Sequence, residues 1–200
     1  MVKLFLSKNV FRFKAIILSI TRIRDNQSRI ILMSREYWKI TGWWNKKNFS
    51  GIDLWDIVEV ILSRENSKNS IKNIDLIVSW WNRTWNYSQI ESFLRTLQIL
   101  NQISIDWQLC SWLYDDMDFL IQYGLKNSLE QSHFTIFQMR ILKSLGSMDP
   151  EILGNDPILC YIYNNISQTP LERILSANIK NIQMSKIEQI NFHSIYILQH

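Results

Sequence analysis

The sequence predicts an all-α protein: a compact bundle of about six to eight helices with a basic N-terminal arm. Three observations predict it. Apolar residues recur at spacings of three and four through most of the chain, the period of a buried helix face. Polar start signals precede several of those stripes, as at Ser88-Gln-Ile-Glu91 and Asp156-Pro157. Only 5 glycines and 3 prolines punctuate 200 residues, too few for many tight turns, and no convincing run of alternating strand residues precedes the tail.

Residues 1–33 make the arm, amphipathic and without an acid before Asp25. Leu4, Phe11, Ile16, Ile17 and Ile20 alternate loosely with Lys and Arg. Such a segment suits an organelle-targeting presequence, an RNA-contacting arm or a membrane-surface helix. It also suits a remnant ahead of an alternative start at Met33. Residues 34–200 then form a single Trp-rich helical domain. All 9 tryptophans lie between Trp38 and Trp112. Each indole buries roughly 200 Å², so this stretch is expected to supply the largest share of the core.

Gly42 to Gly51 is expected as a loop, with Ser50 or Asp53 capping a helix that carries Leu54, Ile57, Val58, Ile61 and Leu62. Ser63 to Ser70 is polar and expected as a solvated linker. Ile71, Ile74, Ile77, Val78, Trp81 and Trp85 fit one face of the next helix. The capping box at Ser88 and Glu91 opens another, with Phe93, Leu94, Leu97 and Leu100 on its stripe. A further helix starts at Ser104 or Asp106 and stops at Gly124. Ser128 to Gln131 is a second possible capping box, ahead of a helix that Gly146 ends. Asp149-Pro150, Asp156-Pro157 and Thr169-Pro170 then start three short helices, because Asp caps and Pro is pre-set for a first turn. In the tail, Ile179, Ile182, Ile187 and Ile190 suit a helix, while Phe192 to Leu198 is also compatible with a strand.

Charge is distributed unevenly. Residues 1–47 hold eleven bases against Asp25 and Glu36, or +9. The rest, with eleven bases and sixteen acids, carries −5. A basic head on an acidic body calls for an electrostatic partner, or for a head that folds back onto the body. Apolar runs no longer than Ala15 to Leu18 are far below the about 20 residues that span a bilayer, so no integral membrane insertion is expected. Isoleucine and asparagine are abundant and Ala15 and Ala177 are the only alanines, a bias that fits an AT-rich gene such as those of organelles.

No catalytic signature emerges. The five scattered glycines build no phosphate loop. His133, His193 and His200 have no metal-ligand spacing with Cys110 or Cys160, so neither a metal nor a cofactor is expected. Both cysteines are expected as buried free thiols. Asp115, Asp116 and Asp118 form the one tight acidic cluster, either a carboxylate pair for a cation or acid–base work, or a solvated face.

Two stretches interleave rings with bases: Trp43-Trp44-Asn-Lys46-Lys47 and Trp80-Trp81-Asn-Arg83. Adjacent tryptophans cannot both face one core, so Trp43, Trp44, Lys46, Lys47, Trp80 and Arg83 are the candidate partner-binding residues. Stacking rings beside positive charge suit RNA, and exposed Trp and Arg suit a protein interface.

Met148-Asp-Pro-Glu-Ile-Leu-Gly-Asn-Asp-Pro-Ile-Leu159 and Ser167-Gln-Thr-Pro-Leu-Glu-Arg-Ile-Leu175 resemble reading frames kept in red-algal plastid genomes, with cyanobacterial relatives. The likeness covers about residues 34–180. It implies a plastid location and points to no particular activity; a mitochondrion is the other organelle the composition allows. The expected function is therefore non-enzymatic: a helical interaction or assembly factor within an organellar protein complex. The alternative is an RNA-associated protein such as a ribosome component.

Overall fold

The computed structural model describes residues 9–45, 51–65, 68–79, 85–102, 110–175 and 181–199. The chain divides into two compact units: Met1–Thr84 with Ser104–Leu125, and Trp85–Ile103 with Lys126–His200.

The first unit overturns the all-α expectation. Strands β1 (Val10–Arg24), β2 (Gln27–Ser34), β3 (Trp38–Trp44), β4 (Ile57–Glu65) and β5 (Lys68–Val78) close a barrel in the order β1-β2-β3-β5-β4. Every pairing is antiparallel except that of β3 with β5. This is a five-stranded Greek-key barrel of the OB type. β1 serves two neighbours. Its first half pairs with β4 (Val10 to Ile16) and its second with β2 (Ala15 to Arg24). The changeover is a register shift between Ile17 and Ser19, the kind of bulge that bends a strand around a barrel. There Ile17 N–H donates to Asp56 O (3.1 Å), and Trp55 N–H donates to Ile17 O (2.8 Å).

The stretch expected as a basic arm supplies β1 and β2 because its alternation is that of a strand. Phe13, Ala15 and Ile17 face the barrel core while Arg12 and Lys14 face out. Ile57, Val58, Ile61 and Leu62 also satisfy helical spacing, but Val58, Val60 and Leu62 point inward at period two. Short apolar runs fit both templates, and these β-branched residues pack on a pleated sheet. In β5, Ile71 and Ile74 are buried while Leu76 and Ile77 are exposed, so the helix expected over 71–85 is a strand as far as Val78. The expected linker from Ser63 to Ser70 is the β4–β5 hairpin.

Gly42 closes the barrel. A Cβ there would lie 2.6 Å from Ile71 Cγ1, so only glycine lets β5 approach β3, beside the parallel pairs Trp43–Ser70 and Trp44–Ile71. Trp38 and Trp55 hold left-handed backbone (φ 57° and 65°), and both side chains are buried. Helix α2 (Cys110–Lys126) belongs with the barrel, and it runs through Gly124 instead of stopping there.

The second unit is helical: α1 (Tyr87–Gln102), α3 (Gln131–Ser144), α4 (Pro157–Asn165), α5 (Leu171–Leu175) and α6 (Asn181–Gln199), with a 3₁₀ turn at Pro150–Leu153. α3 is its axis, with every residue from His133 to Leu142 buried, and it packs on α1, α5 and α6. Asp149 caps the 3₁₀ turn, and Asp156 caps α4 by accepting from the Ile158 and Leu159 N–H groups. α1 begins slightly before the expected box. Asn86 Oδ1 accepts from Gln89 N–H (3.0 Å), and Gln89 Oε1 accepts from Asn86 N–H (2.8 Å). The tail is helical through Phe192, so the strand alternative does not hold. No helix among the described residues is long and apolar enough to cross a membrane.

Candidate nucleic-acid interface

The barrel's charge is concentrated on one sheet. Strands β1 to β3 with their turns (residues 10–44) carry Arg12, Lys14, Arg22, Arg24, Arg29, Arg35 and Lys39 against Asp25 and Glu36. β4 and β5 balance three bases with three acids. Part of this positive charge is spent internally. Arg12 pairs with Glu59 across β1 and β4, and the bond holds the Glu59 carboxyl below its ordinary range. Lys14 reaches Asp118 (3.6 Å) and Arg35 reaches Asp115 (3.1 Å), both on α2.

These pairs account for the acidic cluster. Asp115 and Asp118 project from one side of α2 and meet Arg35 and Lys14 of the barrel sheet. Among the described residues no three His, Cys, Asp or Glu side chains converge as a metal site. His133, on α3, is buried. Its Nδ1 accepts the Glu130 N–H (2.9 Å) as half of a helix-capping exchange, and burial lowers its pKa. Cys160 is a half-buried free thiol.

Arg22, Arg24 and Arg29 remain exposed, with no ion pair among the described residues. Register puts them in one place. Thr21 lies opposite Arg29, Arg29 opposite Trp43, and Trp43 opposite Ser70, a row running across β1, β2, β3 and β5. Arg22 and Arg24 flank the β1–β2 turn, one step beyond that row. Because Ser28 pairs with Trp44, the β1–β2 turn lies at the end of β3, whereas the parallel pairing of β3 with β5 sets the β4–β5 hairpin back along β3, beside Thr41. Arg64 and Lys68 are two exposed bases at that hairpin.

Strand alternation separates the Trp43–Trp44 pair. Trp44 turns inward, 5% exposed, and packs in the barrel core. Trp43 turns outward and is half-buried beside Arg29. Lys46, Lys47, Trp80 and Arg83 lie outside the described residues. The three arginines are not among the candidates from sequence, although Ile20-Thr-Arg-Ile-Arg-Asp-Asn26 carries the signal for Arg22 and Arg24: alternating bases running into an Asp-Asn turn.

Beside the hairpin a cleft of about 340 Å³ opens between β1, β3 and the β4–β5 turn. It is walled by Phe11, Phe13 and Tyr37, with Arg64 and Asn69 at its edge. The arrangement offers exposed guanidinium donors, an outward indole and an aromatic-lined recess. The chain matches no protein-family model and no curated protein.

Proposed function

We propose that the barrel binds single-stranded nucleic acid and that the protein is a non-enzymatic, nucleic-acid-associated factor. The observation that carries this reading is the group of exposed, unneutralised Arg22, Arg24 and Arg29 around the β1–β2 turn, with Arg29 beside the outward Trp43. Guanidinium groups track phosphates, and an indole beside them can stack a base without regard to sequence. By architectural analogy alone, five-stranded Greek-key barrels use the face of strands 2 and 3 with the adjoining loops for oligonucleotides. The AT-rich residue bias and the likeness to plastid reading frames support an organelle as its place of work.

The test is fluorescence anisotropy with labelled oligo(dT) and oligo(rU) of about 12 nucleotides, within the span such barrels cover, at about 50 mM salt. Saturable binding that excess duplex competes for poorly is expected. No binding of either oligomer at that salt overturns the reading.

A second reading, a contact with a partner protein, is favoured by one observation in the helical unit. Tyr87 and Leu94 of α1, and Phe192 and Tyr196 of α6, each keep half or more of their surface exposed. Arg95 of α1 lies over the Phe192 ring, 5.7 Å from its centroid, so the two helices adjoin. Exposed apolar side chains grouped near such a contact mark interaction sites. Native pull-down with and without nuclease separates the readings, since a protein complex that survives nuclease supports the second.

A further inference from the structure

We infer that the cleft between β1, β3 and the β4–β5 hairpin is a pocket for one unpaired nucleobase of the bound strand, with the Tyr37 ring as its stacking platform. The inference rests on the nucleic-acid reading and deepens it.

The cleft exists because β3 and β5 pair only at Trp43–Ser70 and Trp44–Ile71. The earlier part of β3 therefore runs past the start of β5 without a ladder. Asn69 bridges the gap, its Nδ2 donating to Thr41 O (3.1 Å). Ile40 and Leu62 form the floor. Tyr37 stands over the wall, its centroid 5.7 Å from Phe11 and 5.2 Å from Phe13, both edge-on. Tyr37 keeps 36% of its surface exposed although it sits on two other rings.

The platform is fixed in advance. Tyr37 N–H donates to Ser34 Oγ (2.8 Å), which holds the β2–β3 turn. The next residue, Trp38, is buried in left-handed backbone and anchors the turn from the other side. A ring held this way loses little freedom on stacking.

The chemistry at the edge selects the occupant. Arg64 is exposed and carries no ion pair among the described residues, so it is available to a phosphate. Asn69 spends its amide nitrogen on Thr41 and retains Oδ1 as an acceptor for the edge of a base. A flat aromatic ring carried on an anion uses all three features. The volume is at the low end of small-molecule pockets and suits one nucleoside, not a base pair.

The experiment compares wild-type affinity for oligo(dT) with that for an oligomer of equal length whose nucleotides are abasic. The same comparison is made for Tyr37→Leu, checked for folding by thermal melting. Wild type should prefer the base-bearing oligomer by about tenfold or more, and Tyr37→Leu should lose most of that preference at unchanged salt sensitivity. In wild type, a 4-thiothymidine oligomer should photocrosslink within residues 11–69, at Phe11 or Tyr37. Equal binding of the two oligomers by wild type overturns the pocket and leaves the nucleic-acid reading standing. So does a preference that survives Tyr37→Leu with crosslinks elsewhere. Failure of both oligomers to bind overturns both. Displacement by an aromatic-bearing peptide but not by mononucleotide assigns the cleft to a protein ligand and overturns the base.

Discussion

The two units differ in where their cations go. In the helical unit two basic side chains of α3 turn inward onto backbone. Arg140, 6% exposed on α3, donates to Ile166 O (2.8 Å) and Thr169 O at the end of α4. One turn on, Lys143 donates to Tyr163 O and to Asn164 O (3.2 Å), and its burial lowers its pKa. Both satisfy carbonyls that the end of α4 leaves without partners, and both place positive charge at the negative end of its dipole. In the barrel unit, Arg12, Lys14 and Arg35 meet acids, whereas Arg22, Arg24 and Arg29 meet only solvent among the described residues. The difference teaches which charges hold the protein up and which are left for something else.

Substitutions should separate the two roles, and the largest effect belongs to the inward set. Arg140→Met removes a buried charged donor and leaves two carbonyls unsatisfied, costing about 3 kcal/mol. Helical circular dichroism during thermal unfolding reads this loss, while oligonucleotide affinity at low temperature should hold. The outward set behaves conversely. Arg22→Ala, Arg24→Ala and Arg29→Ala together should weaken oligonucleotide binding by roughly ten- to a hundredfold at about 0.15 M salt. The melting temperature should not move, because these side chains make no ion pair to lose.

Gly42→Ala tests the barrel's closure. The added methyl meets Ile71, which is itself buried at 6%, so the cost is about 1–2 kcal/mol of overpacking. Tryptophan fluorescence during denaturant unfolding should register it through Trp44. An unchanged midpoint would mean that Ile71 swings aside freely.

The smallest effect is a pH dependence. His133 Nδ1 can accept the Glu130 N–H only when neutral, and burial already lowers its pKa. The unfolded chain therefore binds the proton more readily. Its stabilisation is complete above the ordinary histidine pKa of about 6.5 and declines as pH falls below it, by less than about 1 kcal/mol. Thermal melts at pH 7.5 and 5.5 should differ for wild type and converge for His133→Asn.

What the sequence made legible follows the same division. Asp149 and Asp156 cap their own next residues, so the starts in the helical unit can be read within four positions. The barrel is held by partners far apart in the chain, such as Phe13 with Val60 and Trp44 with Ile71. No local window contains those pairings. Without them, Ile57, Val58, Ile61 and Leu62 satisfy three-and-four spacing as readily as alternation. The acidic cluster on α2 had the same difficulty, since its meaning depends on Arg35 and Lys14, eighty and more positions away. Trp43 stands out in the sequence because two adjacent indoles cannot share one core; in place of the expected loop, the alternation of β3 puts Trp44 inside and Trp43 outside. The placing of Arg29 beside Trp43 did not emerge, because it depends on the register of β2 with β3.

The most direct measurement is the slope of log affinity against log salt for oligo(dT) or oligo(rU), in wild type and in the Arg22/Arg24/Arg29 triple alanine variant. Each neutralised phosphate of a single strand contributes about −0.7 to that slope. The account predicts about −2 or steeper for wild type, and a slope shallower by about 2 for the variant. Identical slopes for the two proteins would contradict it.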